Sequence, residues 1–438
     1  MRSLPLLIAL SLPLVAEPAT LDSDQKAAEA GNPEATYRRA LVLLKSEKES
    51  ERKQGVEVLE SAAKDDPGNA GRILGEAYLR GLTGEEADFE NAARWWTTAS
   101  EAGDTASILL LSRLYHGEFG FADQRDPAKS LELLRKAAKL GETSAYVGLA
   151  SRLLNAEEEL RNEKEGREWL EKAIEEKLLL AYLVLGDFEE NVKEDPKAAY
   201  RAYLTGAEAG QTDCMLRVAN LRLQGKGVEK DEAKAVEWID KAAKAGNPSA
   251  AYEMASRLSR AEKPDPLKFY PYLLAAANGD LPAAQNELGL LYVSGNLGAA
   301  DATAAVAWLT RAAKNGLADA QSNLGAFYER GVGVPVNYSS AGELYSLAAN
   351  QGHAAATSAL ARMTSQGIGT KKDIVKGWAL ATLAVERGDE TAKAILGELS
   401  TELTPGLLIA AKKVLEELKQ PAAAKAEAGD SEEKPAGN

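Results

Sequence analysis

The chain has 438 residues, 52 Lys plus Arg against 66 Asp plus Glu, a formal net charge of −14, two His and one Cys. One cysteine excludes an internal disulfide framework and a cysteine-built zinc site, and two histidines leave little room for a His-built metal centre or several triads. The acidic balance argues against nucleic acid as the main partner, because neutralising phosphates takes clustered Lys and Arg.

The first element is Met1-Arg2 followed by an apolar run, Ser3–Ala16, that Glu17-Pro18 breaks. A charged start, a short apolar stretch and a small residue before the break predict a signal peptide over residues 1–16 and export to the periplasm or the extracellular space. Leu14 is larger than a cleavage site prefers two residues before the cut. The run is shorter than the roughly 20 residues a transmembrane helix needs. Cys214 lies far downstream, so lipidation after the run is not expected. Within the N-terminal segment 17–32, Asp22–Ala30 reads as a lone helix that caps the folded region beginning at residue 33.

From residue 33 a single frame recurs: a small residue at i, Leu at i+4, small at i+5, Tyr at i+8 and Gly at i+11. Ala320-Leu324-Gly325-Tyr328-Gly331, Ala284-Leu288-Gly289-Tyr292-Gly295 and Ala70-Leu74-Gly75-Tyr78-Gly81 fit it fully. Weaker copies begin at Ala35, Ala106, Ala145, Ala181, Cys214, Ala250, Ala356 and Ala392, which gives eleven copies spaced by 33 to 39 residues. Each copy has a second half, cleanest at Lys234-Ala235 through Trp238 to Ala242-Ala243 and Gly246. Trp95, Trp169 and Trp308 fall at the position of Trp238.

Residues at i, i+4 and i+8 share one face of a helix. A mid-helix Gly costs about 1 kcal/mol relative to Ala, so a small residue recurring at i+5 predicts a close crossing of two helices. The closing Gly fits a left-handed position after a helix, and the Asn, Asp or Pro that often comes next suits a new helix start. Each unit is therefore a helical hairpin that must stack on its neighbours to bury both faces. The prediction is an all-α fold: an α/α superhelical solenoid of about eleven hairpins over residues 33–420. Thr404-Pro405 starts a C-terminal capping helix with the stripe Leu407, Leu408, Ala411, Val414, Leu415 and Leu418. Residues 421–438 carry no large apolar side chain and read as a disordered tail.

This pattern resembles the Sel1-like repeat, a relative of the tetratricopeptide repeat. The 36-residue period, Leu324-Gly325, the Gly-x-Gly-Val loops at 331–334 and 225–228, and Lys234-Ala235 with Trp238 carry the resemblance. Departures carry expectations of their own. Leu111 at the small position predicts a wider or rotated crossing in the third copy. Pro271 at the Trp238 position predicts a shortened or kinked second helix. Glu189 and Arg222 replace the Tyr, and the loops near 157–164 and 187–195 lack Gly-x-Gly-Val.

Catalytic signatures such as Gly-x-Ser-x-Gly, His-Glu-x-x-His or a phosphate loop are missing from the sequence. Asp65-Asp66-Pro67-Gly68-Asn69 fails the calcium-loop pattern and reads as an inter-helix turn. His116 ends a first helix and His353 opens one, so cap or surface roles are expected. Cys214 sits in the small slot and is expected to be a buried hydrophobe. Residues 155–195 hold 14 acidic and 6 basic residues. A solvated face with pairs such as Glu168–Lys172 is the expectation, and a docking surface for a basic partner or a cation is the alternative. Asn337-Tyr338-Ser339 is an N-glycosylation acceptor only in a eukaryotic secretory pathway.

The resemblance implies a concave groove lined by the first helices, with exposed positions at i−1, i+2, i+6 and i+9. These include Tyr37, Arg72, Glu76, Asp187, Asp213, Asn220, Tyr252, Asn286, Ser322, Glu329, Ser358 and Arg362. Such groups suit a peptide ligand, and the family implies adaptors that assemble other proteins. The expected protein is an exported, non-enzymatic interaction scaffold with a protein or peptide partner, no cofactor and no metal. An envelope enzyme using Glu76 or Asp187, or a glycan-binding protein acting on cell-wall material, is the alternative.

Overall fold

The computed structural model describes Ala28, residues 32–84 and residues 86–420. The predicted signal peptide, all but one residue of the Asp22–Ala30 helix and the 421–438 tail lie outside the described residues. The described chain holds 22 α-helices, one 3-10 turn and no strand. It divides into two compact units, one through Lys230 and one from Asp231.

In the N-terminal unit the helices are α1 (Pro33–Leu44), α2 (Glu49–Ala62), α3 (Pro67–Leu79), α4 (Phe89–Glu101), α5 (Thr105–His116), α6 (Pro127–Lys139), α7 (Ser144–Asn155), α8 (Glu163–Glu175), α9 (Leu180–Asn191), α10 (Pro196–Glu208) and α11 (Thr212–Gln224). The C-terminal unit has α12 (Glu232–Lys244), α13 (Pro248–Ser259), α14 (Pro266–Asn278), α15 (Pro282–Ser294), α16 (Ala302–Lys314), α17 (Ala318–Arg330), α18 (Tyr338–Asn350), α19 (Ala354–Gln366), α20 (Ile374–Glu386), α21 (Ala392–Glu402) and α22 (Pro405–Lys419). Odd numbers are the first helices of the repeats and even numbers the second. Within each unit, helices pack chiefly on their neighbours in sequence, as a stacked array requires.

Side chains set the helix starts. Nine helices begin after an Asp whose carboxylate accepts a backbone N–H of the first turn, among them Asp66, Asp104 and Asp301. His353 does the same for α19, its Nδ1 accepting from the Ala356 N–H at 3.0 Å. The acidic turn at Asp65-Asp66 is thus a helix start, and His353 is a cap.

The close crossing is built on glycine in several repeats. Where the first helix carries it, an aromatic or Leu side chain fills the space: Trp96 beside Gly75, Tyr203 beside Gly186, Leu309 beside Gly289 and Tyr345 beside Gly325. Where the first helix has Ala40 or Ala150, the second helix supplies Gly55 or Gly166 against that alanine's carbonyl. The third repeat corrects the sequence reading. Ala106 is exposed and Ser107 is fully buried, so the frame there starts one residue later. Ser112, not Leu111, stands at the crossing, and it is close: the Ser130 hydroxyl donates to the Ser112 carbonyl at 2.7 Å.

Two other expectations change. Pro271, on the exposed side, does not shorten α14, which runs 13 residues like α16 and α18. The repeat tryptophans are not the deepest residues. Trp95, Trp169, Trp238 and Trp308 are half-buried, each with a cation over its ring: Arg94, Lys172, Lys241 and Arg311. The next residue is buried in each case: Trp96, Leu170, Ile239 and Leu309. Lys172 therefore lies on Trp169, at 4.0 Å, instead of pairing with Glu168. At the chain's end, Val414, Leu415 and Leu418 of α22 cover Ala379, Leu383 and Trp378 of α20, while Leu407 stays exposed.

A buried polar ladder at i+1 was not visible in the frame. Gln285 and Gln321 donate to the carbonyls of Ala277 and Ala313, near the ends of the preceding second helices, at 3.1 and 3.2 Å. Their oxygens accept from Asn315 and Gln351 of the next second helix, at 3.3 and 2.8 Å. In the following repeat, Arg387 bridges Thr357 and the Ala349 carbonyl, both at 2.8 Å. Each rung ties three consecutive helices of the C-terminal unit. Gln321→Ala removes both bonds, leaving the Ala313 carbonyl with the Gly316 N–H alone and the exposed Gln351 amide to water, so it is expected to cost about 1 kcal/mol. A urea midpoint equal to that of the parent contradicts this role.

Candidate interaction face

The twelve predicted groove positions fall into two groups in the N- and C-terminal units, and burial separates them further. Tyr37, Arg72, Glu76, Asn286 and Ser358 are buried, so their expected exposure is corrected. Tyr37 belongs to the first core cluster, and its hydroxyl donates to Asp66 at 2.6 Å. Burial first, then that hydrogen bond, raises the Tyr37 phenol well above its ordinary value. Asp187, Tyr252, Ser322, Glu329 and Arg362 are half-buried, and Asp213 and Asn220 are exposed.

In the N-terminal unit, Arg72 lies between Glu76, at 3.9 Å, and Asp104, at 3.6 Å. Burial raises the Glu76 carboxyl against the pull of Arg72 and Arg80. Asp187 accepts from the Tyr203 hydroxyl at 2.7 Å and pairs with Arg217 of the next first helix at 3.3 Å. In the C-terminal unit, Tyr252 donates to Glu287, and Asn323 donates to Asn286 at 2.9 Å. Glu329 accepts from Tyr345 at 2.9 Å and pairs with Arg362. Position i+2 of one first helix thus meets i+3 of the next twice, through Tyr252–Glu287 and Asn286–Asn323. The sequence reading missed the i+3 residues Glu287, Asn323 and Arg217. Their signal was available: polar residues recur there beside polar residues one repeat earlier.

Five carboxylates of the acidic stretch are paired within the fold, and most of the others are exposed. Glu165 holds Arg135 through two hydrogen bonds of 2.7 and 2.8 Å, and Glu163 holds Arg167 and Lys193. Glu189, in the Tyr slot, accepts from Arg167 at 2.5 Å, and Glu190 accepts from Lys226 at 3.0 Å. Arg222, in the same slot one repeat later, lies over the Tyr200 ring. Glu157, Glu158 and Glu159 remain exposed. Cys214 is buried against Gly206, and burial followed by the field of Asp187 pushes its thiol up to about 12. Among the described residues, no group of three His, Cys, Asp or Glu is arranged to hold a metal, and no helix is long and apolar enough to cross a membrane.

The repeat geometry has counterparts in known proteins. The family model for the Sel1 repeat matches residues 72–104, 106–142, 143–178, 212–247, 282–317, 318–353 and 354–389. Uncharacterized protein NMB1327 of Neisseria meningitidis is 29% identical over 175 residues, 40% of this chain. The chain spans 36% of that relative's length. Among solved structures, c5321 of uropathogenic Escherichia coli, a protective antigen displaying an SLR fold, is 22% identical with a TM-score of 0.42, over 96% of this chain and 98% of that one. A Sel1 repeat protein of Oxalobacter formigenes is 25% identical with a TM-score of 0.39, over 79% and 90%. The seven matched segments cover more than half of the sequence and coincide with helix pairs of the structure, so the chain belongs to the Sel1 repeat family.

Proposed function

We propose that this protein is an exported scaffold that captures a protein or peptide partner along its first-helix faces, without catalysis of its own. Sel1 repeats generally mediate protein–protein interaction, and that is the level at which the family speaks. The observation that carries the finer reading is the polar row in the C-terminal unit. Tyr252–Glu287, Asn286–Asn323 and Glu329–Arg362 recur from one first helix to the next. Side chains held by such bonds lose little further freedom when a ligand arrives, which lowers the cost of binding. Ser322 stands beside the row with part of its surface open, and amides and carboxylates in series match the donors and acceptors of a peptide backbone.

Export rests on the apolar run Ser3–Ala16, with residues 1–16 removed and the repeat array 33–420 as the working part. Fractionation of cells followed by sequencing of the mature N-terminus reads this directly.

Alanine at Asn286, Ser322 and Arg362 together is expected to abolish partner capture in the native compartment. Circular dichroism and the melting temperature separate lost binding from lost fold. Undiminished capture by a folded triple variant contradicts the face.

A further inference from the structure

A cavity of about 390 Å³ in the N-terminal unit takes no part in the first-helix row. It opens where α5 ends, α6 begins and α7 runs into its loop. Its walls set His116, Arg125 and Arg152 beside Pro127, Leu131 and Leu160.

A departure in the repeat accompanies the space. The glycine loops elsewhere sit on the first residue of the preceding second helix: Gly227 on Pro196, Gly333 on Ala302 and Gly369 on Tyr338. The fourth repeat has Ala156 through Arg161 instead, with no glycine to lie on Pro127. Pro127, Ala156, Glu157 and Leu160 line the cavity.

The charges are placed by the fold. Arg152 is pinned on both amino groups: one donates to Ser112 and Ser130, the other to Glu118 at 2.6 Å. Its charge is thus fixed and mostly buried. Arg125 is exposed and forms no ion pair among the described residues. Among the described residues that line it, the one carboxylate is Glu157, and it is exposed. A space of this size exceeds what a lone carboxylate fills and lies in the range of ligand sites. Guanidinium groups beside an apolar wall of buried Leu131 and half-buried Pro127 and Leu160 match an anion joined to an apolar side chain.

We propose that this cavity holds the C-terminal residue of a peptide, its apolar side chain on Leu131 and Leu160 and its α-carboxylate against Arg125 and Arg152. This goes beyond the first-helix reading and stands at a separate place, so either can fail alone.

The two histidines make the test, one in each unit. Burial, then Arg152 and Arg125, hold the His116 imidazole below its ordinary value against the opposite pull of Glu118. A carboxylate arriving there favours the imidazolium and raises that value. The full chain is titrated by NMR with N-acetyl-Ala-Ala-Leu, with its C-terminal amide, and with inorganic phosphate. The free acid is expected to raise the His116 pKa and leave His353 unmoved, with the amide at least about tenfold weaker. Arg125→Ala, on an exposed residue, is expected to weaken the free acid at least about tenfold at an unchanged melting temperature. Acid and amide binding alike, an unmoved His116, or phosphate producing the same shift at the same concentration would each overturn the proposal.

Discussion

Gly333→Ala is expected to destabilise the C-terminal unit by about 3 kcal/mol or more, while Gly316→Ala costs only about 1 kcal/mol. Both glycines have positive φ, +70° and +85°. Both substitutions therefore force an L side chain into the left-handed region. The difference is steric. A Cβ at Gly333 would lie 2.3 Å from the Ala302 carbonyl oxygen, whereas Gly316 faces open space. Backbone cannot swing away as a flexible side chain can. The loop therefore has to lift off the start of α16, which unseats one repeat from the next. Melting temperatures of the two variants side by side separate strain from contact. Equal losses would mean that the loop does not seat on Ala302.

Trp96→Ala is expected to cost about 3–5 kcal/mol, the largest effect of any single truncation in the N-terminal unit. Trp96 is fully buried, its ring fills the space left by Gly75, and its indole N–H donates to the Arg72 carbonyl at 3.1 Å. Truncation leaves a cavity at the crossing of α3 and α4 and removes the indole's bond to the Arg72 carbonyl, which keeps its helical partner. The neighbouring Trp95→Ala should cost much less, because that ring is half-buried under Arg94. Thermal unfolding of both variants decides the register: a larger loss at Trp95 would contradict it.

That register marks the boundary of what periodicity conveys. Small residues at i and i+5 identify hairpins and their spacing, because steric room at a crossing is a property of one position. Which of two adjacent residues faces inward depends on helix rotation, and Trp95-Trp96 offers both choices. The third repeat failed for the same reason. Ala106 and Ser107 are both small, and only packing of Ser112 on Ser130 selects the frame. The cap was legible at His353 and the inter-helix turn at Asp65-Asp66, since their chemistry is local. The rungs through Gln285 and Gln321 were not, because their partners are a backbone carbonyl of the preceding second helix and an amide about 30 residues on. For the candidate face, residue type was readable and exposure was not. Tyr37 turned inward to Asp66, and Asn286 was covered by Asn323 of the neighbouring helix.

A partner on the first-helix face of the repeats has to lie within reach of that face and away from the second helices. A photo-crosslinking residue placed at Ser322, half-open on α17, and separately at Glu237, exposed on the second helix α12, tests it in the native compartment. A discrete crosslinked product is expected from position 322 and none from position 237. Crosslinking from position 237 with none from position 322 would contradict it.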